Sequence, residues 1–295
     1  HETGFEDHVA VVDALTTLVD QSLVQPVPDS GGQPRYAMFE TVREFGWEQL
    51  QACNEANRLE AVHAAITLAG AEAAAPELYG SAQGIWLDAL ERDHPNLRAA
   101  LAWAVEHDPG MALRIGSALL RFWPIRGYLA EGRLWLERAH AASLRLPTPP
   151  AETASGLVAL AWIYYWQGEF DAGARLAHDA IAQFAELQSR HGQADALRVL
   201  GHLLVGQAWQ QEPPDVTLLD EAEARFSAQL AIWQELDHAT GAAMALQNLG
   251  FVALNQRRMD EAKSLLEESL THFATLGDRW SLALSLTYLA NIDTY

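Results

Sequence analysis

Lysine and cysteine are each present once, as Lys263 and Cys53, in a chain of 295 residues. Both scarcities exclude chemistry. A phosphate-binding P-loop needs a lysine directly after a glycine-rich turn, and Lys263 lies instead in the helical run "MDEAKSLL", so the chain carries no P-loop. One cysteine excludes an internal disulfide framework and a cysteine-based zinc site, and it suits a reducing compartment. Basic residues are scarce as a class: 19 against 39 acidic ones, for a formal net charge of -20. Nucleic-acid phosphate repels such a chain unless a basic patch is segregated, and no basic cluster exceeds Arg257 with Arg258. There is no stretch of about 18 apolar residues and no basic-then-apolar leader. The expectation is therefore a cytoplasmic chain without membrane contact.

Catalytic signatures are missing as well. Of the eleven histidines no two lie closer than seven residues, and none forms the His-x-x-x-His pair that places two ligands on one helix face. They read as surface or packing histidines, and no metal site is expected. No Gly-x-Ser-x-Gly elbow occurs, and Cys53 has no local signature of a nucleophile. The many carboxylates fall on helical surface positions, where a solvated face accounts for them. No catalytic residue is assigned and no enzyme is expected; a carboxylate or histidine pair converging in a deep pocket would reverse that.

What is present is a repeat. Ala161, Gly201, Gly250 and Ala290 recur at intervals of 40, 49 and 40 residues, each late in an apolar helix. Gly173, Ala222 and Ala262 mark a second helix, following the first mark by 12, 21 and 12 residues. A fixed period in this range means stacked helical hairpins, because one hairpin cannot bury its apolar face alone. The small residues mark close backbone approaches. Asp171, Asp220 and Asp260 sit where an acidic side chain favours a helix start. The wider middle spacing puts nine extra residues near "WQQEPPDVTL" (209–218). A weaker copy, "SALLRFWPIRGYLAEGRLWLERA" (117–139), places Leu120 and Gly132 at the matching positions, with Pro124 expected to bend the end of its first helix. These strings resemble the tetratricopeptide repeat (TPR), with its turn Gly168, Glu169, Phe170. A period about six residues above the usual 34 implies longer helices.

Upstream, residues 9–22 are apolar at helical spacing. "LVQPVPDSGGQPRYAMFE" (23–40) reads as a hairpin around Pro-Asp-Ser-Gly-Gly. A helix follows, with Thr41 as N-cap and Glu44 completing a capping box. Residues 55–107 read as helical, Pro95 opening one helix, while Pro147, Pro149, Pro150 and Pro213, Pro214 mark loops. The segments "LTTLVDQSLV…RYAMFETVREFGWEQL", "WLDALERDHPNLRAALAWAVE" and "RFWPIRGYLAEGRLWLERA", in this order, resemble the region after the nucleotide-binding module of bacterial signal-transduction ATPases with numerous domains (STAND). That class includes LuxR-type and AfsR-like transcriptional regulators. The resemblance covers residues 10–140, and repeats follow in such proteins. It implies an ATPase, with its ATP and Mg, outside this chain, and no cofactor within it. It also implies that the winged helix, which starts partway through its pattern, is a hinge. Residues 1–60 hold eleven acidic and three basic residues, net -8, which agrees with no direct nucleic-acid contact.

The expected fold is all-α: a right-handed TPR-like superhelix (109–295) preceded by a helical linker (53–108) and a partial winged helix with one β-hairpin (1–52). First helices of such repeats line the concave side. That assigns Arg121, Trp162, Tyr165, Trp166, Arg198, His202, Gln247, Phe251, Asn255 and Asn291 to a groove for an effector small molecule, peptide or protein. The plain alternative is that Trp162 and Trp166 are core. The only lysine, on a second helix, disfavours a clamp for a peptide carboxylate. The function expected is the sensor and interaction arm of a STAND regulator; the alternative is a free-standing TPR scaffold.

Overall fold

The computed structural model describes residues 3–27 and 35–292. Among them are fifteen helices and one two-stranded sheet, and the contacts form two compact units, residues 1–62 and 63–295.

The first unit runs α1 (Thr3–Asp20), β1 (Val24–Val27), β2 (Arg35–Met38) and α2 (Glu40–Ala52). The strands are antiparallel, Val24 opposite Met38 and Val27 opposite Arg35. The Pro-Asp-Ser-Gly-Gly run lies outside the described residues. Thr41 is not the N-cap. With β2 ending at Met38, a single extended residue, Phe39, leads into α2, and it makes no side-chain cap bond; Thr41 is already helical, so the capping box does not form. Val24 is the one buried side chain described in this unit, while Val11, Val12, Phe39 and Phe45 are exposed. Among the described side chains, this partial winged helix buries almost no core.

Helix α3 (Ala56–Glu77) runs on into the second unit, where α4 (Gln83–Arg92), α5 (His94–His107), α6 (Pro109–Ala118), α7 (Phe122–Arg126) and α8 (Leu129–Ser143) follow. They share a core around Leu101, Leu113, Ile115, Phe122 and Trp123. Pro95 sits in the first turn of α5, where its missing N–H costs nothing. Three hairpins come next: α9 (Pro150–Trp166) with α10 (Phe170–Glu186), α11 (Arg190–Ala208) with α12 (Val216–Glu235), and α13 (Ala239–Asn255) with α14 (Met259–Leu276). Helix α15 (Arg279–Ile292) stands as a further first helix. Each helix from α9 onward packs on the next, the stacking of a TPR-like superhelix.

The small marks are where helices touch. A Cβ on Gly250 would lie 2.7 Å from Leu266 Cγ and 3.3 Å from the Ala262 carbonyl; one on Gly201 would lie 2.5 Å from the Phe226 ring; one on Gly173 would lie 3.2 Å from the Ala161 carbonyl. In the second and third hairpins the first-helix glycine thus faces the residue four past the second-helix mark. The weak copy obeys the same rule with a different residue. Leu120 does not occupy the slot: it falls in the break between α6 and α7, and Gly116 makes the approach, 2.6 Å from Leu136 Cδ2. The inserted α7 shifted the spacing. Pro124 lies inside α7 and does not bend α6, which has already ended at Ala118.

Asp171 and Asp260 fall in the first turns of α10 and α14, but Asp220 does not open α12. The connection 209–215 supplies its own cap after Pro213 and Pro214: Asp215 accepts from the Thr217 N–H at 2.9 Å, which satisfies one of the free donors of the first turn. Asp220, one turn inside, accepts from Gln256 Nε2 at 2.7 Å.

Candidate ligand site on the inner face

Helices α9, α11, α13 and α15, the first helices of successive repeats, present side chains to a cavity of about 420 Å³. The break between α6 and α7 closes it from another side, because it leaves Arg121 free to turn inward. Arg121 reaches across 157 residues of sequence to Asp278, its Nη2 at 3.5 Å from Oδ1. Its guanidinium also lies 4.1 Å from the centre of the Tyr79 ring and 5.6 Å from that of Trp280. Asp278 caps α15, accepting from the N–H groups of Trp280 and Ser281, both at 3.2 Å, and from Ser281 Oγ at 2.6 Å. The pair therefore joins the start of the repeats to their last helix. Burial pulls the Arg121 pKa below its ordinary value, with Tyr79 and Asp278 opposing.

Of the residues expected in a groove, Arg121, Trp162, Tyr165, Trp166, Arg198, His202 and Gln247 line this cavity. Trp162 is 5% exposed and stacks on Trp166 at 5.5 Å, whereas Trp166 is 38% exposed. Trp162 is thus both core and wall. The Arg198 guanidinium sits over the Trp162 ring at 4.6 Å. His202 lies against Trp162, Tyr165 and Phe226, and its Nε2 is 3.1 Å from Asn248 Oδ1. Since that oxygen accepts, Nε2 carries the proton. Burial and the nearby Arg198 charge push the His202 pKa down to about 3, against a raising effect of Asn248, so the ring is neutral at physiological pH. Asn248 in turn donates to Gln229 Oε1 at 3.3 Å. Gln247 donates to the Ser281 carbonyl at 2.8 Å and to Ser285 Oγ at 2.6 Å. These amides hold the wall; their hydrogen-bonding capacity is largely spent.

Phe251, Asn255 and Asn291 line a neighbouring recess of about 370 Å³ that shares Tyr288 with the main cavity. Asn255 is committed there, accepting from Trp209 Nε1 at 2.6 Å and donating to the Phe251 carbonyl at 2.6 Å. Sequence reasoning missed Tyr79, Asn248, Trp280 and Tyr288. Asn248 and Tyr288 each stand two residues before a small mark, a signal that finds them; Tyr79 and Trp280 belong to no repeat position used. Among the described residues no group of three or more His, Cys, Asp or Glu is placed to hold a metal ion, and no helix is long and apolar enough to cross a membrane. The arrangement suits binding: flat apolar walls with a few fixed polar groups.

A family model for a winged helix-turn-helix domain matches residues 2–51, and one for the tetratricopeptide repeat matches residues 242–271. The chain carries a winged helix and TPR repeats. Proteins of Mycobacterium bovis and Mycobacterium tuberculosis, named as candidate HTH-type transcriptional regulators, are 34% identical over 175 residues, which cover 57% of this chain and 19% of theirs. The match thus spans about a fifth of the length of these curated relatives. BtubC of P. vanneervenii has a TM-score of 0.53 at 20% identity, over 70% of this chain and 84% of that one. The apo form of RapI has a TM-score of 0.51 at 13% identity, over 80% of this chain and 71% of that one. At such identities the likeness speaks for the TPR fold alone.

Proposed function

We propose that this chain is the non-catalytic sensor and interaction arm of a STAND-type regulatory ATPase of the LuxR or AfsR-like kind. Its winged helix acts as a hinge, its repeats as the receiving surface, and the ATPase with its ATP and Mg lies outside this chain. The observation that carries the reading is the inner cavity, walled by successive first helices and clasped by Arg121 with Asp278. The order of winged helix, helical segment and repeats supports the STAND assignment. The regulator names of the mycobacterial relatives support a transcriptional output. An occupant of the cavity acts by binding one state of the parent protein more tightly than another, since only differential affinity moves an equilibrium. The net charge of -8 over residues 1–60 favours a hinge over a DNA reader. The test is the reading frame that contains this chain, together with nucleotide binding by its full product. A P-loop upstream and saturable ATP binding are expected; a frame without a P-loop leaves the free-standing TPR scaffold.

A further inference from the structure

The charge and hydrogen-bonding state of the cavity narrow what it accepts. An aromatic box is by itself suited to a cation. Here the box is lined by two guanidinium groups and, among the described residues, no carboxylate; Asp278, which lines the adjoining chamber with Asp195, is 2% exposed and engaged by Arg121, by Ser281 and by the first turn of α15. Arg198, half-buried over Trp162, makes no ion pair among the described residues. Tyr165 and Tyr288 line the same space, and desolvation raises both pKa values, so both hydroxyls stay protonated. Trp162 Nε1 is a buried donor without a hydrogen-bond partner. Asn248 is held by His202 Nε2 and Gln229, and the Gln247 amide nitrogen by Ser281 and Ser285; His202 Nδ1 is a buried acceptor without a partner among the described residues. Charge sets the sign of the site: Arg198 is, among the described residues, an unpaired cation at its wall, and the net charge of Arg121, Arg198 and Asp278 is positive in a chain of net charge -20. A pocket of this kind binds an acceptor of negative charge, and a guanidinium recognises a carboxylate in particular.

We infer that the cavity takes a small organic monoanion, a carboxylate carried on a flat aromatic body. The carboxylate meets Arg198, and the body lies against Trp162, Trp166 and Trp280. A volume of about 420 Å³ stands near the lower end of the range of about 300–1,000 Å³ for small-molecule sites. Arg121 and Arg198 also border a second chamber of about 790 Å³, whose lining includes Asp195 and Asp278. This inference rests on the proposed sensor role, and it specifies the ligand of that site.

The test is calorimetry on this chain with matched probes: indole-3-acetate, 2-naphthoate and benzoate as carboxylates, indole-3-acetamide as the neutral match and tryptamine as the cationic one. Indole-3-acetate is expected to bind at least about tenfold more tightly than either match, the difference of one charge-assisted contact. Arg198→Met keeps the stem over Trp162 and removes the charge; it is expected to abolish the preference for the carboxylate while leaving the circular dichroism unchanged. Trp166→Ala, at the exposed edge of the cavity, is expected to weaken all three indoles alike. Equal affinity for acid, amide and amine overturns the inference, as does an unaltered carboxylate preference in Arg198→Met. Saturable binding of an acidic aromatic peptide with all three carboxylates inert also overturns it. Those results remove the ligand class and leave the sensor reading standing, because that reading is tested separately through the nucleotide state of the parent protein.

Discussion

Adding one methyl group at two helical glycines should move stability in opposite directions. Gly70, inside α3, has nothing within 4 Å of the position its Cβ would take. Gly70→Ala therefore gains helix propensity and reduces the freedom of the unfolded chain, together about 0.5–1 kcal/mol. Gly250, inside α13, has Leu266 Cγ at 2.7 Å and the Ala262 carbonyl oxygen at 3.3 Å from the same position. Leu266 is fully buried, and the carbonyl belongs to helix backbone, so neither neighbour can swing away. The overlap outweighs the propensity gain, and Gly250→Ala should lose about 1 kcal/mol. Gly250→Leu drives a larger side chain into the same contact and should lose about 1–3 kcal/mol. For a unit of this size 1 kcal/mol corresponds to about 2–4 °C in Tm. Thermal unfolding followed by circular dichroism should thus show Gly70→Ala melting above the parent and both Gly250 variants below it. An unchanged Tm for Gly250→Leu would mean that α13 and α14 do not meet at this position, and the repeat register would be wrong.

Further expectations follow from the cavity and the turns. Asp278→Ala removes the cap of α15 and strands a buried Arg121, and should cost about 3–5 kcal/mol; a double-mutant cycle with Arg121→Met that shows no coupling would refute the clasp. Because the folded pKa of His202 is depressed to about 3, the unfolded chain takes up a proton near pH 6.5 that the folded chain refuses. Its contribution to stability is complete above pH 6.5 and is lost progressively as pH falls toward 3, at about 1.4 kcal/mol per unit. NMR should find the ring neutral at pH 5, and a midpoint near 6.5 would contradict its enclosure. Arg257 holds φ at 61° at the turn position that Gly168 fills between α9 and α10, so Arg257→Gly should raise stability by about 1 kcal/mol in chemical denaturation; a loss would place the strain elsewhere. The chain should show no binding to duplex DNA at physiological salt, and a salt-sensitive rise in fluorescence anisotropy would overturn the hinge role.

The parts of the fold legible from sequence were those where chemistry leaves no substitute. A close helix approach demands a residue without bulk, so Gly173, Gly201 and Gly250 mark the packing in the sequence itself. The first hairpin departs from the sequence pattern because α7 is inserted into it, moving the slot from Leu120 to Gly116 without a local trace. The N-cap expected at Thr41 and the helix start expected at Asp220 differ from the structure for a related reason: several nearby residues can open a helix, and its start depends on the strand or loop before it. Within the cavity, repeat position located the residues on α9, α11 and α13. Tyr79 and Trp280 stayed hidden because the Arg121–Asp278 contact brings them there, and a pairing across 157 residues leaves no periodic signal.

In the proposed sensor role the inner cavity and the nucleotide state of the parent protein are coupled, and such coupling is reciprocal: if an occupant of the cavity shifts the state, the state must shift the cavity. Hydrogen exchange on the full-length protein in its ADP-bound and ATP-bound forms tests this directly. Amides of the segment around Leu120 and Arg121, and of the first turn of α15, should change protection between the two forms, while those at the contact of α13 with α14 should not. Identical exchange in both forms across Arg121 and Asp278 would contradict it.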